Sequence, residues 1–264
     1  GTRGFDFQVT LEPTDLVEVI RIEGSSDRDQ VTLSDTSPGG QRFEIFTGGG
    51  EDGLTVSALA GRSRVLFDGG EGGDQAEVID ERSIDGTLEV LDGGTSGSDG
   101  VSVIQVGSAV GPIAIRGDLR VISGLGAPEA GTGDGAATTG IVRYRDQERL
   151  EWTGGSADDA LEVRLPAVDV PLVIEIAGGG GADQFTVEGT PGSDNWQWDT
   201  ASGRLTAQAA TLQFGFDGED ELEVVGNGPD TFDWSVGVAM PVQRAGGTST
   251  WRGGTGVVIA SGMA

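Results

Sequence analysis

Residues 48–56 read Gly48-Gly49-Gly50-Glu51-Asp52-Gly53-Leu54-Thr55-Val56. Consecutive glycines make a tight turn, because glycine alone takes positive φ without steric cost. Leu54 and Val56 then alternate with Gly53 and Thr55, the period of two of a strand with one buried face. The same order, Asp-x-apolar-x-apolar, begins at Asp29, Asp74 and Asp99 in the first half. It returns at Asp159, Asp183, Asp194, Asp220 and Asp230. Glycine clusters precede most of these aspartates, as at Gly69-Gly70, Gly93-Gly94, Gly154-Gly155 and Gly178 to Gly181. A second apolar-alternating segment precedes each cluster: 42–46, 64–67, 87–91, 149–152, 172–176 and 211–216. Each repeat is therefore strand, glycine turn, aspartate, strand, connector.

The anchors at 29, 52, 74 and 99 lie 23, 22 and 25 residues apart, and 159 to 183 is 24. An interval in the low twenties is one coil of a solenoid, in which equivalent residues stack at about 4.8 Å. An antiparallel sandwich also has short alternating strands, but it has no need of one signature at one interval. The expected fold is all-β, a parallel β-helix (β-solenoid) of about 22–25 residues per coil, right-handed by the general crossover preference. It is expected to form one domain over 1–264: N-terminal strands or cap at 1–23, repeat coils over 24–234, and a C-terminal cap or docking segment at 235–264. The signature lapses between Asp99 and Asp159. There a loop over 124–140, with Asp134 as a decayed copy, is the expected lateral excursion. Past Ser235, Pro241, Arg244, Trp251 and Arg252 suggest an irregular end.

The formal charge is −27, from 43 carboxylates against 16 basic residues, and there is no Cys, no His and, reading the chain, no Lys. So negative a chain repels nucleic-acid backbones and anionic lipid heads, and cations are the expected small partners. Without His, Cys or Lys there is no Ser-His, Cys-His or Ser-Lys nucleophile system, no His/Cys zinc site and no phosphate-loop lysine. Carboxylate pairs for a glycosidase and an arginine base for a Ca²⁺-assisted lyase survive. Neither has a motif here, and candidates such as Asp158 beside Asp159 already have a place in the repeat. No apolar run reaches the ~18–20 residues of a membrane-spanning helix.

Gly178-Gly179-Gly180-Gly181-Ala182-Asp183-Gln184-Phe185-Thr186 fits the pattern Gly-Gly-x-Gly-x-Asp-x-apolar-x throughout. Residues 69–77 fit with a small apolar residue, and the segments ending in Asp194-Asn195-Trp196 and Asp220-Glu221-Leu222 fit with the second glycine replaced. This resembles the hemolysin-type (RTX-like) calcium-binding repeat of secreted bacterial proteins. The resemblance implies Ca²⁺ held between adjacent turns by turn carbonyls and aspartates, here Gly70, Gly72, Asp74, Gly179, Gly181, Asp183, Asp194 and Asp220, in an extracellular setting. One departure stands out: that family runs its nonapeptides in tandem, whereas here whole coils intervene. The other reading is that each aspartate closes its own turn by accepting a backbone N–H. Aspartates stacked near 4.8 Å repel by roughly 0.9 kcal/mol per pair even at water's dielectric, so either Ca²⁺, amide donors or salt must offset that cost.

Trp196, Trp198 and Trp234 occupy apolar slots of the repeat and are expected in the core. Arg143-Tyr144-Arg145 is expected to alternate exposed, buried, exposed, with an anion-binding patch near Arg149 as one use. The function expected is a non-catalytic structural or adhesive module of a surface layer, matrix or filament, at the cell surface. Its partners would be further copies, neighbouring surface proteins or polysaccharide. The alternatives are a polysaccharide-active β-helix enzyme and a carbohydrate-binding module.

Overall fold

The computed structural model describes residues 19–34, 40–60, 62–80, 84, 86–91, 96–105, 113–116, 121–125, 140–145, 147–166, 172–192, 194–199, 202–207, 210–215, 221–226, 231–234, 242–245, 250–252 and 258–260. Among the described residues every regular element is a strand and none is a helix. Glycine at short intervals breaks helices, while alternating Val, Ile, Leu and Phe suit a half-buried pleat. The chain divides into two compact units: Gly1–Val106 with Ser123–Arg149, and Gly107–Ile122 with Leu150–Ala264.

Unit 1 contains β1 (Val19–Glu23), β2 (Gln30–Leu33), β3 (Arg42–Phe46), β4 (Gly53–Val56), β5 (Arg64–Asp68), β6 (Gln75–Asp80), β7 (Thr87–Leu91) and β8 (Gly100–Gln105). Next in the chain come β9 (Ile113–Arg116) of unit 2, β10 (Val121–Leu125), within which the division falls, and β11 (Gly140–Arg145) of unit 1. In unit 1, β1, β3, β5, β7 and β11 pair in that order, all parallel. β2, β4, β6 and β8 form a second parallel set. From β1 to β8 each strand thus pairs with the next but one in the chain, and every glycine–aspartate turn carries the chain from the first sheet to the second. The sequence intervals of 23, 22 and 25 reappear as register, with Gln30, Gly53, Gln75 and Gly100 side by side. Apolar residues stack on apolar residues. Ile45, Phe67, Val90 and Tyr144 form one buried column and Leu33, Val56, Val78 and Val103 another. Burying each such side chain is worth about 1.5–3 kcal/mol, so a slip by one residue, which exposes a whole column, is strongly disfavoured.

Unit 2 continues with β12 (Arg149–Thr153), β13 (Ala160–Arg164), β14 (Leu172–Ala177), β15 (Gln184–Glu188), β16 (Asn195–Asp199) and β17 (Arg204–Ala207). Then follow β18 (Ala210–Gly215), β19 (Glu221–Gly226), β20 (Thr231–Trp234), β21 (Val242–Ala245), β22 (Thr250–Arg252) and β23 (Val258–Ala260). One sheet runs β9, β13, β15, β19, β21, β23, parallel throughout. In the other, β14 pairs with β18 and β16 with β20 in parallel, but β17 lies antiparallel between β16 and β18. This strand has no counterpart in the expected repeat. It returns through Ser202 and Gly203, whose φ of 65° sharpens the turn, while Ser202 Oγ donates to Asp199 Oδ2 at 2.7 Å. Trp152, Phe185, Phe214 and Trp198 form a chain of ring contacts in the core, at 6.1, 5.8 and 6.1 Å between centroids. Beyond residue 235, where an irregular end was expected, β21 to β23 continue the strand alternation, with Trp251 in register beside Phe232. The expected loop at 124–140 lies outside the described residues except at its two ends.

Candidate functional site

The repeat aspartates build one recurring arrangement at the turn between sheets. Asp29 N–H donates to Asp52 Oδ1 at 2.7 Å, Asp52 N–H to Asp74 Oδ1 at 2.9 Å, and Asp74 N–H to Asp99 Oδ1 at 2.7 Å. In unit 2, Asp159 N–H donates to Asp183 Oδ1 at 2.8 Å. Each carboxylate thus accepts the amide of the aspartate one repeat earlier. Glu148 takes the acceptor's place at the end of the unit 1 row, receiving Asp99 N–H on Oε2 at 2.9 Å. Sequence reasoning missed Glu148, because it follows no glycine turn and stands 49 residues from its donor. At Asp29, Asp159 and Asp194 the Oδ2 oxygen serves the aspartate's own turn: Ser25 N–H donates to Asp29 Oδ2, Gly155 N–H to Asp159 Oδ2 and Thr190 N–H to Asp194 Oδ2, each at 2.7 Å and each from four residues back.

The glycines are required by close approach as well as by φ. Gly72 (φ 141°) faces the Gly50 carbonyl and Gly181 (φ 122°) the Ala157–Asp158 peptide, so a Cβ at either would overlap backbone one repeat away. Gly70 and Gly179, with φ of 83° and 93°, are equally left-handed. The turns also bond to one another. Gly49 N–H donates to Ser25 O, Glu71 N–H to Gly48 O, Gly72 N–H to Ser96 O and Gly180 N–H to Gly155 O, all between 2.9 and 3.1 Å.

Asp74 and Asp183 are buried, with Oδ1 bonded to the preceding aspartate's amide. Asp194 lies in the turn from β15 to β16, whereas Asp159 and Asp183 lie in the turns from β12 to β13 and β14 to β15. Both of its oxygens serve its own turn, Oδ1 accepting the Thr190 hydroxyl at 2.9 Å. Asp220 lies outside the described residues. Among the described residues no three carboxylates come together as a cation site. Ca²⁺ takes six to eight oxygens, so a site at these turns would draw mainly on backbone carbonyls, with at most two carboxylates among the described residues.

Asp52 is 2 % exposed and Asp159 3 %, and Asp159 Oδ1 meets no hydrogen-bond donor among the described residues. Burial raises the pKa of each above the usual 3.8, against the lowering effect of the Asp29 amide for Asp52 and the Gly155 amide for Asp159. Trp152, Trp196 and Trp198 are all buried, so none of them offers a ring for sugar stacking. No family model, curated protein or solved structure matches this chain.

Proposed function

We propose that this chain is a non-catalytic structural module, a right-handed parallel β-solenoid of a cell-surface layer, matrix or filament, whose aspartates staple one coil to the next. The row from Asp29 through Asp52 and Asp74 to Asp99 carries the reading. A carboxylate that accepts its neighbour's buried amide answers the repulsion between stacked charges, because charge-assisted hydrogen bonds to N–H are the strong ones. The alternation of sheets from β1 to β8 is what a coil requires, and an acidic surface suits a protein that stays soluble in salt. An extracellular setting is consistent with a chain that contains no cysteine, since a long repeat core needs no disulfides.

The test is a melting series on metal-stripped protein with added CaCl₂, and with NaCl at matched ionic strength. Equal rises in melting temperature support stapling without metal. A Ca²⁺-specific rise with saturable heat of binding sinks it and returns the calcium-repeat reading.

A further inference from the structure

We infer that the outer face of the first sheet of unit 1 docks a second copy of this chain, its arginines against the carboxylates on the other copy's glycine–aspartate turns. This rests on the structural reading above and names the surface through which copies meet. On β1, β3, β5 and β11 the outward positions carry Arg21, Arg42, Arg64, Arg143 and Arg145, each of them exposed. The carboxylates on the same face are Glu23, Glu44, Asp68 and Glu89. Five arginines to four carboxylates is a local excess of cations in a chain whose ratio is 16 to 43. Arg42 and Arg64 are direct register partners, an unfavourable like-charge pair within one copy.

Arg21 and Arg42 are partly used, by Glu23 and Glu44, and Arg21 lies 4.6 Å over the Phe46 ring. Arg64, Arg143 and Arg145 form no ion pair with a described carboxylate. The central outward column of the second sheet, Thr32, Thr55, Glu77 and Ser102, has no cation at all. The complementary charge lies on the turns. Asp27, Glu51 and Glu71 are exposed there, interrupted by Arg28, and successive turns stack, with Gly49 bridged to Glu71. Arginine face and acidic turns both extend across the same stack of strands, about 4.8 Å apart, so a second copy aligned alongside presents its turn carboxylates along the length of this face.

Two copies of charge −27 also repel as wholes. That repulsion is long-ranged and the contact pairs are short, so the two respond differently to salt. At about 0.01 M the Debye length is ~30 Å and repulsion holds copies apart; at about 0.1 M it is ~10 Å and contact pairs prevail; at about 1 M it is ~3 Å and they too fade. Association is therefore greatest at the middle salt, unlike apolar association, which strengthens steadily with salt. Sedimentation velocity at the three salts, over a range of protein concentrations, reads this directly. The expected result is a maximum at the middle salt that Arg64→Glu/Arg143→Glu/Arg145→Glu removes, that Glu51→Arg/Glu71→Arg also removes, and that mixing the two variants restores. A single sedimenting species at every salt, or association that grows steadily with salt or survives the triple variant, overturns the inference. Binding of the parent, but not the triple variant, to polygalacturonate without self-association also overturns it, in favour of an acidic polysaccharide. Melting curves on the same samples separate the two levels: unchanged melting with no association removes the docking face and leaves the structural module standing.

Discussion

Asp74 holds two turns together at once, its Oδ1 receiving the buried amide of Asp52 and its own amide reaching Asp99. Asp74→Ala leaves the Asp52 amide without an acceptor, at a cost of about 1–3 kcal/mol, whereas Asp27→Ala, on the exposed part of its turn, changes stability by about 0.5 kcal/mol or less. Urea unfolding of the two variants checks the contrast, and equal effects would mean that the row of aspartates contributes nothing. Asp52 supplies the pH dependence. Its folded pKa is raised above 3.8 by burial, so the folded state holds its proton more tightly than the unfolded state. Above both pKa values the ionised group therefore subtracts from stability, and the loss is recovered as pH falls through the folded value. Asp159, raised for the same reason, acts in the same direction. Asp52→Asn keeps an oxygen for the Asp29 amide and removes the charge, so stability plotted against pH from neutral down towards 3.8 becomes flatter than in the parent. An unchanged slope in urea midpoints across that range counts against the assignment.

The turn and its two strands form the element that the sequence makes legible, and the reason is physical. Glycine clusters are conformational punctuation, and a period of two needs only local residues, so the strands at 42–46, 53–56 and 87–91 lie where the alternation puts them. β17 was not legible, because its four residues, Arg204 to Ala207, carry no glycine–aspartate signature and pair antiparallel only through a local hairpin. Direction was hidden as well. Asp183 and Asp194 share a motif, but the turns they occupy run opposite ways between the sheets, since the intervening β15 belongs to the other sheet. Nor can a motif reveal which atoms its carboxylate meets: Asp74 Oδ1 and Asp183 Oδ1 each take a backbone amide of the preceding repeat. Within one turn the glycines are unequal. Gly181→Ala places a side chain at φ 122° against the Ala157–Asp158 peptide and costs at least about 1–3 kcal/mol. Gly180 has open space beyond its nearest neighbour and no positive φ, so Gly180→Ala is neutral or adds about 0.4–1 kcal/mol by restricting the unfolded chain. Melting temperatures of the two single variants decide whether close approach, and not glycine content, shapes the turn.

At the scale of the whole molecule, charge and repetition act against each other. Stacking brings equivalent carboxylates together, and a net charge of −27 opposes any compact state. Screening by any salt therefore stabilises the fold, and NaCl and CaCl₂ of equal ionic strength are expected to raise the melting temperature alike. The cation-rich face of unit 1 gives that charge a counterpart between copies, which joins the stability of one module to its assembly with others. Amide hydrogen exchange in metal-stripped protein near neutral pH tests the central claim, that aspartate carboxylates bond buried amides of neighbouring repeats without help from metal. The amides of Asp52, Asp74 and Asp159 are predicted to exchange as slowly as those of the buried strand residues Ile45 and Val56, and calcium is predicted to leave them unchanged. Fast exchange at these three amides that slows only when Ca²⁺ is added would contradict the account.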